Sequence, residues 1–526
     1  MIVKMIKIAL CNVHSENLDI NEPEIRSPHM GLAYLASSLD KNRYQVEIID
    51  GYCQKLSLEQ TITNLLEGGY HLIGFTTYAC TITNCVRVLS ELKKRGCTSK
   101  ILFGGYHSHY IYTELFAKCE SLDYVLLGES DISFKTLLEY LFFIGKDIQL
   151  NHITGLVYRK GDELITTSLP ILCSDLDALT IPSYKKTATG EYQILASRGC
   201  MDNCYFCAAK SFLSSCKGKS LRIRSIESVI SEIEYRRRDP NFKRLAFIDD
   251  ELFVLEKVCP GWITDFVAKI RARNIRVSFS MRARSDSIVK YKEELKMLKS
   301  IGLSSVFVGI ESLNPDILSE IFNKNEDVST HYEAITILKE LKINIAIGMI
   351  ILHPYVTLDK LKTDFIFYRD AVGVIGSDFT FPFHRFVKLL LFPGCAILLN
   401  RLKKDGLLEE LDLGRYDWHY QNKDMRYIED AFNIWDIKIE ACSILIKRVI
   451  FKVLNLDETS LFNATLSKYM LTFRKINDDF VEDILTAAYE FLHQSSCWSE
   501  QFESIIEKHM ISIFALSKKI EKYQLV

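Results

Sequence analysis

Strand-like and helix-like segments alternate twice along this chain, first over residues 6–145 and again over residues 192–392. Apolar runs of strand length are bounded by turn residues, and longer stretches with a helical period lie between them. Strands that alternate with helices form largely parallel sheets that helices cover. The pattern therefore predicts two successive α/β domains.

The first domain, residues 1–148, is predicted to be a doubly wound parallel sheet. Its expected strands are residues 6–11, 44–50, 71–76, 100–104 and 124–127, and its expected helices are 31–40, 58–67, 83–94 and one from 134. Ligands bind such sheets at the carboxyl ends of the strands, where glycine lets the backbone approach closely. The candidate binding residues at these ends are Thr76, Thr77, Gly104, Gly105, Tyr106, Gly128 and Glu129. A β-hairpin linker, residues 149–190, is expected next.

The second domain, residues 191–406, carries polar side chains at the ends of its predicted strands. The expected strands are residues 192–196, 244–248, 276–280, 305–310, 344–350 and 386–392. Functional groups at the carboxyl ends of successive strands are typical of a β/α barrel enzyme.

Three cysteines lie on the loop that leaves the first strand of this domain. Cys200, Cys204 and Cys207 have C-x3-C-x2-C spacing. Three thiolates can hold three corners of an iron–sulfur cube, and since a cube needs four ligands, one iron would stay open for a substrate. Buried packing cysteines or a zinc site are the alternatives, although no fourth Cys or His follows at zinc-finger spacing.

The cysteine spacing, with Phe206 before the last thiol, resembles that of the radical SAM superfamily. The resemblance implies a 4Fe–4S cluster whose open iron takes the amino and carboxylate groups of S-adenosylmethionine, within a partial (β/α)6 barrel of the TIM type. One electron into the cluster would split S-adenosylmethionine into methionine and a 5′-deoxyadenosyl radical. An electron donor such as flavodoxin or ferredoxin is implied as a partner.

The same resemblance suggests which polar residues meet S-adenosylmethionine. It places the acidic run after the second strand at the amino group, Arg282 or Arg284 at the carboxylate, and Glu311 at the ribose. The expected contacts are Phe206, Asp249, Asp250, Glu251, Arg282, Glu311, Ser312 and Gly348. Carboxylates in such positions also serve as surface ion pairs or helix caps. His353 is a candidate acid or base, or a structural histidine.

The turns of the first domain resemble those of the cobalamin-binding domain that precedes many radical SAM domains. The resemblance implies that Gly104 and Gly105 lie against cobalamin and that Thr76 and Thr77 follow its nucleotide tail. Domains that bind cobalt through histidine carry a D-x-H-x-x-G signature, of which this chain matches only His14. A domain of this fold that has lost the cofactor is the alternative.

Residues 407–526 differ in composition, with one glycine and no proline. Helical spacing and cap-like starts predict a helical C-terminal domain with helices over residues 430–454, 461–476, 480–493 and 500–523. Trp418, Tyr420 and Trp435 are either substrate contacts or part of its core.

The composition indicates which binding partners and which cellular compartment are expected. Apolar content of 48% with 25% charge is that of a globular protein, and a net charge of −2 argues against a nucleic-acid partner recognised by bulk charge. The 15 cysteines are scattered, no cleavable leader is visible, and no apolar stretch is long enough to span a bilayer. A reducing, cytoplasmic enzyme is expected.

The sequence thus predicts a cobalamin-dependent radical SAM enzyme, a C-methyltransferase for a peptide or secondary metabolite. A cyclase or rearrangement enzyme with the same cofactors is one alternative. A methylthiotransferase with a second cluster on Cys11, Cys53 and Cys80 is another, and a non-enzymatic cluster-binding sensor is the last.

Overall fold

The computed structural model describes residues 5–15, 28–143, 149–183, 190–371, 388–455, 460–494 and 498–524. A seven-stranded sheet, a five-stranded parallel sheet and three long helices follow one another along the chain. The α/β fold class and the helical C-terminal region predicted from the sequence are confirmed.

The N-terminal sheet has the strand order β2-β1-β3-β4-β5-β6-β7. Its elements are β1 (Ile6–Asn12), α1 (Met30–Ser37), β2 (Tyr44–Asp50), α2 (Leu58–Glu67), β3 (Leu72–Thr76), α3 (Ile82–Lys94), β4 (Lys100–Gly104), α4 (Tyr106–Lys118), β5 (Tyr124–Leu126), α5 (Ser133–Phe142), β6 (Leu156–Lys160) and β7 (Glu163–Thr166). Strands β1 to β5 are parallel, and β3 is buried over its whole length, as expected for a strand covered on both faces.

Two features of this domain differ from the sequence prediction. The hairpin β6–β7 pairs antiparallel with β5, so it completes the N-terminal sheet although it was expected to be a linker. Helix α4 was not expected, because the glycine turn before it looked like part of a loop. It begins directly after Gly105 and runs to Lys118.

The second sheet has the order β14-β13-β12-β11-β8, and all its pairs are parallel. The elements here are β8 (Glu191–Ile194), β9 (Ser197–Arg198), α6 (Ala209–Ser214), β10 (Arg222–Ile223), α7 (Ile226–Arg236), β11 (Arg244–Phe247), α8 (Val254–Val258), α9 (Trp262–Ala272), β12 (Ser278–Arg284), α10 (Ser285–Lys290), α11 (Lys292–Ser300), β13 (Leu303–Glu311), α12 (Val328–Glu340), β14 (Asn344–Met349), α13 (Leu358–Ala371) and α14 (Ala396–Lys404). The expected sixth strand contributes one parallel bridge, between Lys388 and Leu352. Residues 386–387 of that predicted strand lie outside the described residues.

The C-terminal region begins with a short hairpin and continues as long helices. The elements are β15 (Leu408–Leu411), β16 (Arg415–Trp418), α15 (Met425–Asn455), α16 (Ser460–Gln494) and α17 (Trp498–Gln524). The two helices expected over residues 461–476 and 480–493 form one helix, α16. Asn477, which looked like part of a break, donates through Nδ2 to Phe473 O at 2.9 Å and accepts from Trp435 Nε1 at 2.8 Å. Its polar groups are satisfied, so the helix continues.

One hydrophobic core runs from the barrel sheet into these helices. Trp435 stacks on Phe480 with ring centroids 4.0 Å apart, and Trp418 and Tyr420 are also buried. The three aromatic residues considered as substrate contacts therefore belong to the core. In the described part of the chain, none of the helices combines the length and apolar composition that a bilayer crossing requires.

Candidate active site

The cysteine loop follows β8 and is held against the rim of the barrel sheet. Gly199 has φ 102°, and a Cβ atom there would lie 2.2 Å from Ser220 O, so glycine is required directly before Cys200. Further along the loop, Tyr205 N donates to Phe322 O at 2.9 Å.

Two more contacts fix the middle of the loop. Asn323 Nδ2 donates to Asn203 O at 2.8 Å, and Cys395 Sγ donates to Phe206 O at 3.1 Å. The ring of Phe206 packs edge-on against Phe322, with centroids 5.2 Å apart. The loop backbone is therefore positioned by the barrel itself.

The three cysteines of the loop are free thiols. Burial raises the pKa of Cys200 to about 12 and that of Cys204 to about 11, so a bound cation is needed to hold the thiolates. Within the described ranges, no three His, Cys, Asp or Glu side chains converge where a single ion would bind. A cube takes each thiolate on a different iron, whereas zinc needs its ligands around one point. Three thiols on one short loop are the donor set that such a cluster takes.

Asp250 is the exposed member of the acidic run after β11. It lines a cavity between the two domains. Burial raises the pKa of Asp250. The positive charge of Arg282, which is exposed on β12, opposes this shift. A carboxylate and a guanidinium that influence each other in this way could receive the amino and carboxylate groups of an amino acid.

The two neighbours of Asp250 are buried and have partners within the protein, although Asp249 also borders the cavity. Asp249 is buried and accepts hydrogen bonds from Ala196 N at 3.0 Å and from Ser197 Oγ, so it braces the start of the cysteine loop. Glu251 is also buried, and it pairs with Lys257 at 2.9 Å. Burial and partners therefore separate the three acidic residues, which the motif alone did not reveal.

Glu311 has an unusual backbone conformation at the end of β13. Its φ is 72°, and the pairing with β14 is irregular at this point. A positive φ in a residue other than glycine costs about 1–3 kcal/mol and is concentrated at functional sites. The carboxylate lies 3.5 Å from Lys324 Nζ, and burial raises its pKa.

Two other expected contacts of S-adenosylmethionine differ from the prediction. Ser312 is fully buried and donates to Asp364 Oδ2 at 3.1 Å, so it supports the backbone after Glu311. A Cβ atom on Gly348 would lie 2.6 Å from the ring of Phe307. An adenine at this position would meet the Phe307 ring rather than bare backbone.

A cavity of about 350 Å³ joins the strand ends of the N-terminal sheet to the cysteine loop. Six of the predicted N-terminal turn residues line it together with the start of the loop and the acidic run. The lining residues of these three groups are Thr76, Gly104, Gly105, Tyr106, Gly128, Glu129, Arg198, Gly199, Asp249 and Asp250. The cavity opens where the sheet order reverses between β1 and β3, as is usual for ligands of doubly wound sheets.

The two glycines of the Gly104–Gly105 turn differ in backbone conformation and in their surroundings. Gly105 has φ 96°, and a Cβ atom there would lie 2.9 Å from Thr77 N. Gly104 is not crowded, since its Cβ would meet only Leu126 O at 3.7 Å, and its face borders the cavity. Thr77 is buried and does not line the cavity; it donates to Gly104 O at 2.9 Å and so shapes the turn from beneath.

Glu129 lies at the edge of the cavity but is committed to an ion pair. Arg222 donates to both its oxygens, at 2.6 and 2.8 Å, and Cys173 N donates to it at 3.0 Å. Glu129 thus joins the two domains.

Sequence reasoning missed His29, which lines the cavity beside Tyr78. Its Nδ1 accepts from Leu32 N at 3.2 Å, which leaves the hydrogen on Nε2, 2.8 Å from Tyr78 Oη. Burial lowers the pKa of His29, so the ring is neutral. Its place before an apolar helix was the available signal. His14, by contrast, is not among the residues that line this cavity.

His353 occupies a position unsuited to acid or base chemistry. It is fully buried, burial lowers its pKa to about 3, and it packs edge-on against Phe322. Among the described residues, neither ring nitrogen has a hydrogen-bond partner.

Comparison with known families assigns both domains. Residues 194–366 match the radical SAM superfamily, and residues 19–138 match the B12 binding domain. The cysteine loop, its barrel and these matches define a radical SAM enzyme, and the chain belongs to that superfamily. Within it, the chain is one of the enzymes that carry an N-terminal cobalamin-binding domain. Its cofactors are a 4Fe–4S cluster, S-adenosylmethionine and cobalamin.

The individual relatives have low sequence identity to this chain, but they align with most of its length. An uncharacterized methyltransferase of Pyrococcus horikoshii is 25% identical over 376 residues, 70% of this chain and 78% of its own. Hopanoid C-3 methylase of Methylococcus capsulatus is 24% identical over 64% of both chains. The anaerobic magnesium-protoporphyrin IX monomethyl ester cyclase of Synechocystis is 22% identical over 76% of this chain and 77% of its own.

One solved structure shares the whole fold. The cobalamin-dependent S-adenosylmethionine radical enzyme OxsB superposes with a TM-score of 0.73 at 18% identity, over 99% of this chain and 80% of that one. The resemblance includes the C-terminal helices.

Proposed function

We propose that this enzyme is a C-methyltransferase that methylates an unactivated carbon of a small-molecule substrate. The carrying observation is the shared cavity, in which the N-terminal turn at Gly104 and the start of the cysteine loop at Gly199 line one space. When bound, the cluster and S-adenosylmethionine supply hydrogen abstraction, and cobalamin supplies the methyl group.

The protein's own contribution would be to bind, orient and exclude water. Asp250 and Arg282 would hold the amino and carboxylate groups of S-adenosylmethionine, and Glu311 would accept from its ribose hydroxyls. Cys200, Cys204 and Cys207 would hold the cluster, with Phe206 beside it. Thr76, Gly104, Gly105, Tyr106 and Gly128 would border cobalamin. An electron donor such as flavodoxin or ferredoxin, in a reducing compartment such as the cytoplasm, completes this proposal.

The relatives whose names include a substrate act on small molecules. We therefore favour a small molecule over a peptide as the substrate of this enzyme. Hopanoids and magnesium-protoporphyrin IX monomethyl ester are both large ring compounds with extensive apolar surface. A substrate of this kind is the working hypothesis for this chain.

The test is anaerobic turnover of the reconstituted enzyme with S-adenosylmethionine and a low-potential reductant. Formation of S-adenosylhomocysteine together with 5′-deoxyadenosine supports methyl transfer. Replacement of Cys207 by Ala should abolish 5′-deoxyadenosine, because the cluster loses a ligand. Formation of 5′-deoxyadenosine without S-adenosylhomocysteine, in the presence of cobalamin, would contradict methyl transfer.

Cyclisation with the same cofactors is the second candidate, since one relative is a cyclase. Product mass separates the two, because a methyl group adds carbon to the substrate and ring closure does not. A second cluster on Cys11, Cys53 and Cys80 has less support. Cys11 is buried in the core of the N-terminal domain, whereas Cys80 is exposed. Iron counting distinguishes them, with about four per chain for one cluster.

A further inference from the structure

Arg284, at the end of β12, points towards the cysteine loop. Its Nη1 lies 3.9 Å from Cys204 Sγ, and its side chain is 13% exposed. Its other contacts are carboxylates: Nη2 lies 2.5 Å from Glu326, Nη1 lies 3.4 Å from Asp202, and Nε lies 3.2 Å from Asp286. All three guanidinium nitrogens are engaged, so Arg284 is less suited than Arg282 to grip a substrate carboxylate.

Glu326, the carboxylate that pairs with Arg284, is deeply buried. Glu326 has a side chain that is 1% exposed, and burial raises its pKa. Besides Arg284 it faces His331 at 3.4 Å and Lys324 at 4.0 Å. Since burial lowers the pKa of His331 to about 4, the ring is neutral, and the two cations balance Glu326.

Lys324 links this pair to the expected ribose-binding residue. Its side chain is 3% exposed, and Nζ lies 2.5 Å from Gly309 O and 3.5 Å from Glu311 Oε1. Charged side chains therefore follow one another from Arg284 through Glu326 and Lys324 to Glu311. Arg284, at one end of this series, approaches Cys204.

We infer that Arg284 is a positioning residue that sets the reduction potential of the cluster, with Glu326 controlling how much of its charge reaches Cys204. Hydrogen bonds to the ligating sulfurs and net charge near the cluster are the protein's means of setting this potential. A cation aimed at a thiolate ligand stabilises the reduced cluster, because reduction adds one negative charge. Glu326 neutralises part of that cation, so the two residues act in opposite directions.

This inference rests on the proposed function only in that Cys204 binds the cluster. The experiment is an anaerobic potentiometric titration of the reconstituted full-length protein without S-adenosylmethionine, followed by electron paramagnetic resonance. Dithionite, equilibrated through mediators, gives one electron to each cluster, and no protein bond forms or breaks. Leaving out S-adenosylmethionine separates this role from any part in substrate binding.

Arg284→Gln should lower the ratio of reduced to oxidised cluster about tenfold at a fixed potential, a shift of about 59 mV for one electron. Glu326→Gln should shift the midpoint the opposite way, and Arg284→Lys, which keeps the charge, should recover most of the wild-type value. Arg238→Gln removes the same charge from an exposed position and serves as the control. It should leave the midpoint unchanged.

Unchanged midpoints in both Arg284→Gln and Glu326→Gln, or shifts in the same direction, would overturn the inference. If Arg284→Gln fails to fold or to take up iron, Arg284→Lys and Glu326→Gln still decide it. Iron analysis distinguishes this failure from that of the proposed function. Wild-type protein without a cluster would refute the function, whereas a loaded cluster indifferent to both substitutions refutes only the role of Arg284.

Discussion

Arg198 Nη1 lies 2.8 Å from Asp131 Oδ2, so the residue two positions before the first cluster cysteine is tied to the turn after β5 of the other domain. The guanidinium also lies over the ring of Tyr34, 5.3 Å from its centroid. Both members of the ion pair are nearly buried, with 16% and 12% of their side chains exposed. The pair therefore fixes the separation between the two halves of the cavity.

Loss of this ion pair should be costly. Arg198→Met leaves Asp131 without its main partner, and breaking a buried pair costs about 3–5 kcal/mol. We expect a lower thermal midpoint by calorimetry and weaker cobalamin binding, since the cavity wall shifts. Arg95→Met, which removes the exposed bidentate pair with Glu59, should change neither. Equal effects of the two substitutions would show that the interdomain position is irrelevant.

The two glycines of the turn after β4 should respond differently to substitution. Gly104→Val adds a side chain at the cavity border, where there is room for it, so the fold should persist while cobalamin affinity falls at least about tenfold, or about 1.4 kcal/mol. Gly105→Ala forces a Cβ atom onto Thr77 N and should destabilise the domain itself. Circular dichroism and a spectroscopic cobalamin titration measure the two effects. Unchanged cobalamin affinity in Gly104→Val would contradict the assignment of this wall.

Glu311→Gln should weaken S-adenosylmethionine binding without loss of the cluster. A hydrogen bond to a charged group contributes about 1.5–3 kcal/mol, so a loss of about tenfold to a hundredfold in affinity is expected by calorimetric titration. Glu251→Gln is the matched control, because Glu251 is a buried carboxylate that pairs with Lys257. If the control variant loses as much affinity as Glu311→Gln, the ribose role belongs elsewhere.

His353 should make the protein sensitive to acid without taking part in catalysis. Its folded-state pKa of about 3 lies below the ordinary histidine pKa of 6.5, so the unfolded state binds the extra proton between these values. Stability is therefore lost as pH falls through this window, by about 2 kcal/mol between pH 7 and pH 5. His353→Phe should flatten the dependence of the unfolding midpoint on pH and keep turnover. Loss of turnover in a folded His353→Phe protein would restore the acid or base role.

The sequence was sufficient for the fold because its strong patterns are local. Strand–helix alternation placed β1 to β5 and β11 to β14 to within a few residues, since each element is decided by its own periodicity. The continuous helix α16 was missed, because the hydrogen bond between Asn477 and Trp435 joins residues 42 positions apart.

The site could be predicted only at the level of which strand ends contribute. Asp249, Asp250 and Glu251 are equivalent in a motif, and the structure separates them by burial and by their partners. Ser312 is a similar case, since its partner Asp364 lies 52 positions away. Likewise, nothing local indicated that Arg284 approaches Cys204, 80 residues distant. Such choices depend on long-range packing, which a motif does not encode.

We expect the cluster and cobalamin to face one cavity, and the interaction between their electron spins measures whether they do. Protein loaded with cob(II)alamin and reduced to the paramagnetic cluster should be examined by pulsed electron paramagnetic resonance, alongside samples that hold only one of the two centres. We predict a spectrum altered by spin–spin coupling, with faster relaxation than in either single-centre sample. A spectrum that equals the sum of the two separate spectra would contradict the shared cavity.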